Sequence, residues 1–120
     1  MASIPIIRLG SVLIATVMEE LHDHEAVTFQ ANLMEMIERT SGAGVLIDLT
    51  MAATVDSFLG RLLNDIALGA RLLGAKTVLV GMQPAVAVTL VELGLELKGI
   101  HTALNVEKGM ALLGQPVRVR

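Results

Sequence analysis

The chain has 120 residues, enough for one domain with its own core and too few for two. It has no cysteine, which excludes disulfides and thiolate metal sites and fits an intracellular, cytoplasmic location; its formal net charge of -3, with two Phe and no Trp or Tyr, argues against nucleic acid. The opening MASIPIIRLG lacks the basic start and long apolar block of a secretory signal, and charged residues interrupt every apolar stretch before the roughly 18 residues of a membrane span, so no membrane partner is expected.

Ile4 to Leu9 and Ser11 to Val17 are β-prone runs on either side of Gly10, which predicts a hairpin or tight antiparallel connection. Asp23 is placed to cap a helix running to about Thr40. Phe29, Leu33, Met36 and Ile37 share its inner side, while Glu25, Glu35, Glu38 and Arg39 point mainly outward. Ser41, Gly42, Ala43 and Gly44 end it. Val45 to Leu49 is too short for a free-standing helix and reads as a buried strand. From Val55 the apolar period turns helical, with Val55, Phe58, Leu59, Leu62, Leu63, Ile66, Ala70 and Leu73 in one stripe that Gly74 closes. Lys76 to Gly81 predicts a further buried strand, followed by Gln83 as a cap and Pro84 at the first helical position, where its missing N–H matters least. Val86, Leu90, Leu93 and Leu97 form the inner stripe of that helix, Thr89, Glu92 and Glu96 lie on the other side, and Gly99 breaks it. His101 to Leu104 predicts a short edge strand and Asn105 the cap of a last helix ending near Gly114 and Pro116; Val117 to Arg120 is β-prone or frayed. The whole chain, residues 1–120, therefore reads as one α/β domain. Its mixed sheet has an antiparallel N-terminal hairpin and mostly parallel strands, with about four helices.

Composition adds an expectation about assembly. Hydrophobic residues make up 53% of the chain and charged ones 18%. A domain this small buries only part of so much apolar surface, which points either to contact with other proteins or to a core rich in small aliphatics.

The most informative turn is Val55-Asp56-Ser57-Phe58. With Asp56 as N-cap, its carboxylate accepts from a free N–H of the first helical turn, and Ser57 becomes the first helical residue, beside the positive end of the helix. Arg61 is four residues on and shares the outer face, whereas Phe58, Leu62 and Ile66 are assigned to the buried one. Two readings fit: plain capping, or a solvent-facing phosphate acceptor. A helix N-terminus favours an anion by about 0.3 to 1 kcal/mol, and Arg61 is placed to add a charge-assisted bond.

The runs VLIDLT, VDSF, LLGAKTVLVGMQPAVAVTLVELG and TALNVEKG occur in one order along nearly the whole chain and resemble a STAS domain, the fold of anti-sigma-factor antagonists. More narrowly they resemble the RsbS-type scaffolds of the bacterial stressosome. The resemblance implies phosphorylation of Ser57 by a serine kinase of the RsbT type and assembly with RsbR-type sensor paralogues into a large hetero-oligomer. It also implies a phosphatase acting on phospho-Ser57. Asp56, Ser57 and Arg61 would form the kinase-facing surface. RsbR-type paralogues carry a separate N-terminal domain and a threonine in this turn. Serine here and a single-domain length favour the short scaffold.

Resemblance to the paralogues also suggests Thr89 as a second phosphate acceptor, ranked below Ser57 because Glu92 and Glu96 share its side and no cation does. No metal site is expected from His22, Asp23 and His24, because neighbouring residues on a regular element cannot all face one ion. Gly69, Gly74, Lys76 and Thr77 stand in helix-then-strand order, the reverse of a phosphate-binding loop. Asp48, at a strand end, reads as an acid supporting a site or as a loop anchor, and the structural role is preferred. No nucleophile has a base near it in sequence and no cofactor is implied. The expectation is a non-enzymatic regulatory scaffold that releases a kinase on phosphorylation and so controls a stress response. The alternative is a small-ligand or nucleotide-binding module using the same helix end.

Overall fold

The inner strands of the sheet are buried at most positions because both faces of the sheet are covered. The computed structural model describes residues 4–18, 22–40, 44–53, 55–94 and 99–114. Its elements are β1 (Ile6–Leu9), β2 (Val12–Thr16), α1 (Asp23–Thr40), β3 (Gly44–Asp48), α2 (Ser57–Leu72), β4 (Lys76–Val80), α3 (Pro84–Glu92), β5 (Ile100–Ala103) and α4 (Val106–Leu112). The strands lie in chain order, β1-β2-β3-β4-β5. β1 and β2 are antiparallel, with Leu9 opposite Val12 across a turn at Gly10 (φ 61), and every later pair is parallel.

That order dictates the layers. Parallel connections are right-handed, so crossovers that step in one direction across the sheet put their helices on the same face. α1, α2 and α3 accordingly share one core with alternate strand residues, among them Leu13, Ala15, Val45, Ile47, Leu79, Phe29, Leu33, Leu63, Ile66 and Val86. The other alternate set, Val12, Leu46, Val78 and Val80, packs under α4 with Met110 and Leu113. Each helix following a parallel strand starts at the strands' C-terminal edge, so the positive ends of the helix dipoles gather there.

Four details differ from the sequence reading. Asp23 is not the cap of α1 but its first residue. The cap position falls to His22, whose carbonyl accepts from Ala26 N–H (3.0 Å) and whose own N–H donates to Glu25 Oε1 (3.2 Å), one half of a capping box. Phe58 is 37% exposed and Leu73 46%; the buried stripe of α2 runs instead through Leu59, Leu62, Leu63, Ile66, Ala67 and Ala70. α3 stops at Glu92, because Gly94 adopts φ 65, the left-handed conformation that ends a helix, so Gly99 does not set its limit. The stripe of α3 is Val86 and Leu90. Leu93 is only half-buried, and the placement expected for Glu96 and Leu97 lies outside the described residues, as do Ser41 to Ala43 and the tail Val117 to Arg120.

Candidate functional site

The turn that leads into α2 is built by one local device and two long-range ones. Asp48, at the end of β3, accepts on one carboxylate oxygen from Thr50 N–H (2.9 Å) and from the Thr50 hydroxyl (2.6 Å), which bends the chain away from the sheet. The Thr50 carbonyl then accepts from Gln83 Nε2 at 2.9 Å, tying this loop to the one that precedes α3. Gly81 (φ 69) completes the contact, since a Cβ there would collide with the Thr50 side chain. Asp48 is thus the loop anchor the sequence suggested. Gln83 holds the cap position of α3 but spends its amide on Thr50 and makes no side-chain cap.

At the far end of this loop Asp56 is the N-cap of α2. Its backbone is extended (φ -87, ψ 177), its carboxylate accepts from Leu59 N–H at 2.8 Å, and its carbonyl accepts from Gly60 N–H at 2.9 Å. Ser57 is the first helical residue and is exposed. Arg61, one turn on, is exposed as well, so the three residues singled out in the sequence share the outer surface of one helix end. Phe58 joins them. The helical period, read one residue too early, hid this apolar ring by assigning it to the core.

Thr89 occupies the second turn of α3. It is half-buried, not exposed, and its hydroxyl donates to the Ala85 carbonyl at 3.0 Å. His22 and His24 stack their rings (centroids 6.1 Å apart), and among the described residues no group of three His, Cys, Asp or Glu side chains is gathered as for a metal. Thr77, rejected above as part of a phosphate loop, is buried in the core.

Residues 3–109 match the STAS domain family. The chain belongs to that family. Its STAS fold superimposes on the structure of a serine-to-glutamate variant of Moorella thermoacetica RsbS with a TM-score of 0.84, at 38% identity over 94% of this chain and 96% of that one. A chain of the stressosome, described as a signal integration and transduction hub, gives a TM-score of 0.82 at 41% identity over 92% and 96%. The RsbT co-antagonist protein RsbRA of Bacillus subtilis (strain 168) is 33% identical over 79 residues, which is 66% of this chain and 29% of that protein. The chain therefore spans less than a third of that relative's length. Among the described residues no helix of this STAS domain is long and apolar enough to cross a membrane.

Proposed function

We propose that this STAS domain is a non-enzymatic scaffold of a stressosome-type assembly, which holds a serine kinase of the RsbT type and releases it when Ser57 is phosphorylated. The observation that carries the reading is that Ser57 is exposed on the first turn of α2, directly after the capping Asp56 and one turn before the exposed Arg61. The helix end accommodates a phosphate through its free N–H groups and positive pole. The same phosphate brings about -1.5 to -2 charges next to Asp56, inside a surface that a bound protein would have to dehydrate. Each 1.4 kcal/mol so lost weakens binding about tenfold. A phosphatase acting on phospho-Ser57 resets the switch.

Similarity to RsbS and to a stressosome chain over nearly the full length supports the assembly role, and likeness to an RsbT co-antagonist supports the kinase as partner. RsbR-type paralogues are the other subunits. Apolar surface for such contacts exists on the helices: Leu68 and Leu72 lie four apart on α2, Val88 and Val91 three apart on α3, and all four are exposed.

The test is capture of the cognate kinase by Ser57→Ala and Ser57→Asp variants. The alanine variant should retain the kinase and the aspartate variant should lose it. Equal capture by both removes the charge switch, and mass spectrometry after incubation with kinase and ATP reads the modified residue directly.

A further inference from the structure

At the opposite pole from Ser57, where the parallel strands begin, two cationic side chains and an imidazole line one cleft. The cleft measures about 340 Å³ and is lined by Arg71, Gly74, Ala75, Lys76, Gly99 and His101. Its walls come from both faces of the sheet. Lys76 and Val78 alternate to the same side of β4, and Val78 pairs with His101 of β5, so Lys76 and His101 stand on the face that α4 covers. Arg71 arrives from the last turn of α2 on the other face. Its side chain passes over Gly99 (φ 80), with Nη1 3.4 Å and Cδ 3.8 Å from where a Cβ of residue 99 would lie.

Among the described residues no carboxylate lines the cleft and neither Arg71 nor Lys76 is paired with one, in a chain whose net charge is -3. In α2's last turn the carbonyls of Gly69, Ala70 and Arg71 accept from the N–H groups of Leu73, Gly74 and Ala75. A guanidinium fork, an ammonium and an imidazole around a void of small-ligand size match a phosphate group, which Arg engages through two parallel bonds and Lys as a point charge.

We propose that this cleft binds the phosphate of a small phosphorylated molecule, at a site separate from the Ser57 turn. The experiment is an amide NMR titration of the full chain with inorganic phosphate and, separately, with AMP, each at constant ionic strength so that screening does not change. Saturable shifts are expected at Gly74, Ala75, Lys76, Gly99 and His101. Arg71→Gln with Lys76→Gln should weaken binding about tenfold or more, as expected for losing bonds to a charged group, while Lys108→Gln on α4 removes one charge elsewhere and leaves it unchanged. Tighter binding of AMP makes a nucleotide the ligand, and equal binding makes it free phosphate; both uphold the site. Shifts that do not saturate, that centre on Asp56 to Leu59, or that persist equally in the double variant overturn it. Both replaced side chains are exposed, so the variant's spectrum should keep its native dispersion, and each single variant repeats the comparison.

Discussion

Asp56 stabilises the helix end that it also makes sensitive to charge. As N-cap it satisfies Leu59 N–H, and loss of such a cap typically costs about 1 kcal/mol. Asp56→Ala should therefore lower the unfolding free energy by about that amount, and Asp56→Asn, which keeps the acceptor, should recover most of it in urea denaturation. A cap is legible in sequence because its partners lie within three residues, and both Asp56 and Asn105, which accepts from Lys108 N–H at 2.9 Å, were readable in advance. Thr77 was not. In β4 its hydroxyl is buried without a hydrogen-bond partner among the described residues, a burden that sequence alone cannot show because it depends on what packs above the strand. Thr77→Val keeps the shape and removes the unsatisfied group, so it should leave stability unchanged or raise it by about 1 kcal/mol in the same measurement.

Among the elements, α4 depends on close approach. Gly109 stands in the middle of this short helix, where glycine costs about 1 kcal/mol relative to alanine, yet a Cβ there would come within 2.7 Å of Val80 Cγ1 and 2.8 Å of Leu46 Cδ1. The missing side chain lets the helix lie against the sheet. Gly109→Val should overfill that contact and lower stability by about 1 to 3 kcal/mol, read as a fall in thermal midpoint; an unchanged midpoint would mean that α4 lifts freely from the sheet. The strands and the existence of four helices were legible from apolar period and from Gly and Pro punctuation. The end of α3 was not, because Leu93 and Leu97 continue the period past the point where Gly94 turns the backbone left-handed. The exposure of Phe58 escaped for a similar reason, since a period places a residue only to within about one position on the helix surface.

For the whole molecule, the two poles of the sheet have different characters. Helix starts and the Ser57 turn occupy one, and the cationic cleft the other, so phosphate chemistry at one pole need not obstruct the other. Exposed apolar residues on α2 and α3 bear on assembly: Leu72 is 88% exposed and Val91 79%, values better suited to an interface than to a lone domain in water. Mixed with RsbR-type paralogues, the protein should form large particles in light scattering, and Leu72→Glu with Val91→Glu should shrink them while leaving the circular dichroism of the domain unchanged. Particles of unaltered size would place the assembly surface elsewhere.

The sequence by itself determined the strand and helix order, the single-domain α/β class, the caps at Asp56 and Asn105 and the position of Ser57 at a helix start. All of these follow from interactions within a few residues or from the period of apolar side chains. Tertiary structure alone decided which pole each group occupies, the tie between Thr50 and Gln83, the outward turn of Phe58 and the meeting of Arg71 with Lys76 and His101. Those contacts join residues far apart in the chain, and only the one-directional stacking of right-handed crossovers brings them together.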